Sequence, residues 1–187
     1  MKFWTLQSQE VLEIVEKEGI YHPKFAMSQY YKQYHELYNF MLKSFNTINN
    51  LNCEGLIYSF CISRENVIYP IANINDFRYF ININKDKITY LWDTFLETDC
   101  KILELEMDLV FNDLALAFND FQYIMPSPLN KLLFDPDEYQ TNCELILSNI
   151  EKGIIMSSGK NFDLIQSHLP YIKKSDIKNV YEIFSLN

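Results

Sequence analysis

The chain has 187 residues, 48% of them hydrophobic, with 14 Phe and 13 Tyr: enough apolar surface for one well-buried core, and too little length for two comfortable domains. Sixteen basic residues against 25 acidic ones leave a net charge of −9, which repels a phosphate backbone and disfavours general duplex DNA binding. No apolar run approaches the roughly 20 residues that span a bilayer, and the start MKFWTLQSQE lacks the apolar stretch of a signal peptide, so the expectation is a single cytoplasmic domain over 1–187 with no membrane partner.

Residues 2–6 alternate like a short strand, Ser8 can cap a helix that stops at Gly19, and Val11, Leu12 and Val15 form its apolar stripe. A second helix is expected from about Ser28 to Phe45. Its Tyr30, Tyr31, Tyr34, Leu37, Tyr38, Met41, Leu42 and Phe45 recur at helical spacing, a core stripe with hydroxyls at its rim. NTINNLNCEG at 46–55 reads as a loop by composition, and GLIYSFCI at 55–62 as a strand. FRYFINI at 77–83 is read as another strand. DKITYLWDTFLE at 86–97 stays open between strand and helix, since Ile88, Leu91, Trp92 and Phe95 also fit a helical face.

KILELEM then alternates Leu103, Leu105 and Met107 against Glu104 and Glu106, as a half-buried strand must. The two glutamates share one face, and solvation there is the ordinary expectation; paired carboxylates for acid–base chemistry are the sharper one. NDLALAFNDFQYIM at 112–125 reads as a helix capped by Asp113, and Asp135, Pro136 and Glu138 open the clearest helix, which runs to Gly153. The ending splits at KKSD into β-rich segments 162–172 and 177–184, expected to lie side by side as antiparallel strands. The fold class is α+β, a mixed or antiparallel sheet packed with helices.

Motifs exclude more than they identify. Four glycines supply no Rossmann or phosphate-loop fingerprint, and Cys53, Cys61, Cys100 and Cys143 form no CxxC pair, so neither a metal site nor a disulfide framework is signalled. Lys173, Lys174 and Lys178 form a small basic cluster, read as a solvated turn rather than a phosphate contact. His22 and His35 are scattered, whereas His168 follows Gln166 by two on an expected strand, so that both face the same way.

KFWTLQSQEVLEIVEKEG, ILELEMDLVFNDLALAFNDF and LIQSHLPYIKKSDIKNVYEIF together resemble the landmarks of a bacterial domain-of-unknown-function family whose members begin Met-Lys-Leu-Trp-Thr; that family has a tryptophan near Leu116 or Ala117, which this chain lacks. More distantly, the layout resembles the ADP-ribosyltransferase fold, especially its thymidine-modifying branch. That resemblance implies NAD as cofactor, with Trp4, Thr5, Gln7 and Tyr58 at the nicotinamide end and Gln166 and His168 beneath the reacting ribose. The catalytic glutamate of that branch falls at His168, within QSH. A histidine does not supply the preorganised carboxylate charge that stabilises an oxocarbenium-like transition state. The alternative from a different class is a small acidic protein of phage or mobile-element type that inhibits a host or defence protein by direct binding, with aromatics as anchors and charge as steering.

Overall fold

A computed structural model of the chain describes residues 2–28, 31–61, 71–107, 116–117 and 165–186. The expected helix opened by Asp135 lies outside the described residues, as does all of the 112–125 segment except Leu116 and Ala117.

The first strand, β1 (Lys2–Gln7), is followed by helix α1 (Gln9–Glu18). Gly19 ends that helix at φ 79°, a left-handed conformation that a side chain would strain. Then come β2 (Ile20–Tyr21), a short 3₁₀ turn (Phe25–Met27), α2 (Tyr31–Asn49) and β3 (Ile57–Cys61). Helix α2 runs four residues into the segment expected to be a loop. Asn46, Thr47 and Asn49 use their side chains locally, Asn46 Nδ2 donating to the Cys53 carbonyl and the other two donating to carbonyls one turn back. Composition that looks loop-like therefore here closes a helix end. Tyr38 and Phe45 are buried against Phe25 and Leu56, the core stripe expected of this helix. Gly55 permits the close approach of this layer, because a Cβ there would lie 2.7 Å from the Pro23 carbonyl oxygen and 2.8 Å from the Phe25 nitrogen.

The segment read as a strand at 77–83 is a helix. Helix α3 (Ile74–Ile83) is started by Asn73, whose side chain accepts from the amides of Asn75 and Asp76, and α4 (Lys85–Glu97) follows after Asn84. The cap and the helical spacing of Ile74, Phe77 and Ile81 outweigh the β propensity of the aromatics. Strands β4 (Lys101–Glu106), β5 (Leu116–Ala117), β6 (Ile165–Leu169), β7 (Ile172–Lys173) and β8 (Ile177–Glu182) complete the described elements. Leu116 and Ala117 thus pair in a sheet where a helix was expected.

The main sheet has six described strands in the order β5-β6-β3-β1-β4-β8, every pair antiparallel, so the fold is α+β. The two β segments of the ending are not neighbours. β6 pairs with β3 and β5 while β8 pairs with β4, on opposite sides of β1. Between them Ile172 and Lys173 leave the sheet to pair with Tyr21 and Ile20, and a 3₁₀ turn over Lys174–Asp176 redirects the chain. A tight hairpin would have joined them, but this detour crosses the sheet instead.

Both faces of the central strands are covered. One carries Trp4, Leu6, Phe60 and Ile102 under Phe77 and Ile81 of α3 and Ile88 and Trp92 of α4. The other carries Phe3, Ile57, Leu103, Leu105 and Leu169 under Val11 and Val15 of α1. Among the described residues no helix is long and apolar enough to cross a membrane.

Candidate functional site

Strand β1 lies between β3 and β4, so its side chains alternate between two covered faces. That parity decides where the candidate residues go. Trp4 belongs with Phe60 and Ile102 on the α3–α4 face. Thr5 and Gln7 follow Phe3 on the α1 face. In the β3–β6 ladder Tyr58 is opposite His168 and Phe60 opposite Gln166, which gives Tyr58 and His168 the Trp4 side and Gln166 the same register parity. The candidates are therefore divided by the sheet, with Thr5 and Gln7 on one side and Trp4, Tyr58 and His168 on the other.

The polar groups of β1 are used internally. Trp4 is fully buried, its indole Nε1 donates to the Ile71 carbonyl at 3.1 Å, and its ring stacks on Phe77 at 4.9 Å with planes 10° apart. Thr5 is also fully buried and donates to the Tyr58 carbonyl at 2.7 Å, while Gln7 Nε2 donates to Thr5 Oγ1 at 2.8 Å. A hydroxyl and an amide thus close one side-chain-to-backbone relay between neighbouring strands. His168 is fully buried, with its ring 5.2 Å from Tyr58 in an edge contact. Burial, with Tyr38 adding to it, raises the Tyr58 phenol well above its ordinary value, so this hydroxyl stays protonated. His22 and His35 are exposed and stand apart from this pair.

The strand glutamates separate in environment. Glu106 is exposed, but Glu104 is only 5% exposed and does not have the solvated surroundings expected of it. Its carboxylate accepts from Lys2 Nζ at 2.5 Å, Asn179 Nδ2 at 2.8 Å and Tyr181 Oη at 2.9 Å, and Lys2 also donates to the Ala72 carbonyl. Burial pushes Glu104 up, yet the three hydrogen bonds and the Lys2 charge together hold it below its ordinary value. The partners come from β1 and β8, both distant in sequence; in the ladders Asn179 is directly opposite Glu104, while Lys2, opposite Glu106, and Tyr181, opposite Ile102, are diagonal to it. A period-two pattern cannot show that α3 and α4 cover the glutamate face.

Outside the core, an open groove of about 670 Å³ lies between the 3₁₀ turn, α2 and the loop 51–54, with Lys24, Tyr31, Leu42, Lys43, Asn46 and Cys53 in its lining. Lys24 there pairs with Glu54 at 3.0 Å. Burial raises the Cys53 thiol above its ordinary value, against a weaker opposing backbone hydrogen bond, so the thiolate is disfavoured. Cys53 and Cys100 are both free thiols. The basic cluster has acidic or aromatic company: Lys174 pairs with Glu16 at 2.6 Å, Lys178 lies 3.8 Å from Glu106, and Lys173 sits over the Tyr171 ring. Those neighbours offset its charge; only Lys174 lies in the turn, Lys173 and Lys178 belonging to β7 and β8. Among the described residues no three His, Cys, Asp or Glu side chains are grouped so as to hold a metal ion.

Among the described residues, one helix carries a pair of exposed large apolar side chains. Tyr79 and Ile83, one turn apart on α3, are 58% and 43% exposed, a signal that their helical spacing carries once 74–83 is known to be a helix. The described fold is thus a two-sided antiparallel sheet in which Trp4, Thr5, Gln7 and Glu104 are hydrogen-bonded within the protein. No protein family, curated protein or solved structure matches this chain in comparison.

Proposed function

We propose that this chain works by binding another protein directly, as a small acidic α+β module whose partner presents a basic surface. The observation that carries this reading is the outward pair Tyr79 and Ile83 on α3, in a protein of net charge −9. Exposed aromatic and aliphatic side chains one turn apart are suitable interface anchors, and a negative field accelerates encounter with a positive partner. Blocking a nucleic-acid-handling enzyme of a host or defence system fits the same chemistry, since such enzymes present basic grooves to phosphate.

The test is capture of a stoichiometric partner by the wild-type chain and by a Tyr79→Glu, Ile83→Glu variant with an unchanged circular dichroism spectrum. A partner bound by the wild type, released by added salt and lost in the variant supports the reading. Equal capture by both proteins removes α3 from it.

The second reading is an ADP-ribosyltransferase-like nucleotide site, favoured by the Tyr58–His168 ring contact with Gln166 two residues before it. It draws on one side of the sheet only, so Thr5 and Gln7 serve it as supports of the Tyr58 backbone and not as ligands. Calorimetric titration with NAD and ADP-ribose distinguishes the two. Saturable heat that disappears in a Gln166→Ala, His168→Ala variant establishes the nucleotide reading, and absence of heat from folded protein removes it.

A further inference from the structure

Strand β8 ends the described sheet, pairing with β4 on one side only. An edge strand offers a row of backbone donors and acceptors to any chain of suitable register, and proteins usually blunt such edges with charge, bulges or covering segments. Here a register shift at Glu104 and Leu105 leaves one extra residue, Lys178, on β8, and the ladder is regular from Asn179 to Glu182. Asn179 and Tyr181 direct their side chains to Glu104. Period-two alternation along the regular ladder sets Val180 and Glu182 against them, and these two and Lys178 in the bulge are all exposed, Val180 at 48%.

This edge is self-complementary. In an antiparallel pairing of two copies about a two-fold axis through Val180, Val180 meets its own counterpart, Lys178 faces Glu182 of the second copy, and Glu182 faces its Lys178. A lysine that guards an edge against foreign strands becomes neutralised by this one partner. Each cross-strand position is then apolar on apolar or cation on anion, the arrangements that stabilise a ladder. Lys101, which pairs with Glu182 at 2.8 Å within the chain, lies behind that glutamate on β4 and leaves its outer side accessible.

We infer that the β8 edge is a self-association surface, through which two copies join their sheets by antiparallel β8–β8 pairing. The contact is short, so association is weak and is to be sought at high concentration. The experiment is sedimentation velocity of the full chain from micromolar to hundreds of micromolar, with Lys178→Glu, Glu182→Lys and the double exchange. The wild type is expected to show a reversible monomer–dimer equilibrium. Either single reversal creates two like-charge oppositions per dimer and weakens it by roughly three- to thirtyfold.

The double exchange restores the dimer to within about threefold, and an equimolar mixture of the two single variants associates more tightly than either alone. This recovery separates the proposal from damage to folding or to the internal pairs of Lys178 and Glu182, which the exchange does not repair. A wild type that is monomeric throughout overturns it. So does self-association that ignores these reversals.

Discussion

The two faces of the sheet are held by different physics. On the α3–α4 face the contacts are aromatic and directional: Trp4 stacks on Phe77, Phe77 meets Trp92 at 6.3 Å, and Phe60 meets Phe77 at 6.0 Å. Both indoles also donate to backbone carbonyls, Trp4 to Ile71 and Trp92 to Phe184, so that ring position is specified by hydrogen bonds as well as by volume. On the α1 face Val11, Val15, Ile57, Leu103, Leu105 and Leu169 pack as aliphatic groups, and the polar anchor there is the small Thr5 hydroxyl, donating to the Tyr58 carbonyl, with no ring positioned by a hydrogen bond of its own. Packing among aliphatic groups accepts rearrangement that conserves volume, whereas a buried indole N–H accepts very little. The aromatic face therefore carries the greater specificity of position.

The largest expected effect is Trp4→Ala, which opens a cavity and strands the Ile71 carbonyl; it should cost about 3–5 kcal/mol in urea unfolding. Leu103→Ala on the other face should cost about 2–4 kcal/mol, while Leu103→Met stays below about 1.5 kcal/mol. If Trp4→Phe is tolerated as well as Leu103→Met, the contrast between the faces fails.

A smaller effect should separate charge from packing. Glu104 is held below its ordinary value, so the unfolded chain binds more protons than the folded one between the folded and unfolded pKa values. Stability contributed by Glu104 is therefore present above its unfolded value and lost as pH falls through the folded one. Glu104→Gln should flatten that acid limb in a plot of urea midpoint against pH, and an unchanged limb would remove Glu104 as its source. The smallest effect is Asn73→Ala, which removes the cap of α3 and should cost about 1 kcal/mol by thermal unfolding.

Local rules served well where neighbours in sequence were also neighbours in space. The strand at the start, the helix stopping at Gly19, and the strand at Lys101–Glu106 all follow from alternation, periodicity and a glycine stop. They failed at 77–83, where aromatic content suggests a strand but the Asn73 cap starts a helix, and at the ending, where a turn composition conceals a crossing from one side of the sheet to the other. The candidate site was legible as a set of residue types only. Trp4, Thr5 and Gln7 are conspicuous in a strand, but the sheet sends Trp4 away from the other two.

Sequence by itself determined the α+β class, the central apolar strands and the acidic surface, because periodicity and net charge are properties of the chain alone. Tertiary structure decided that Glu104 is a buried hub, that Thr5 holds the Tyr58 backbone and that β8 is the last of the described strands on its side of the sheet. Each of these depends on which strands become neighbours, and strand order is set by contacts between residues far apart in the chain, 53 positions for Thr5 with Tyr58 and 102 for Lys2 with Glu104. No local pattern encodes such contacts.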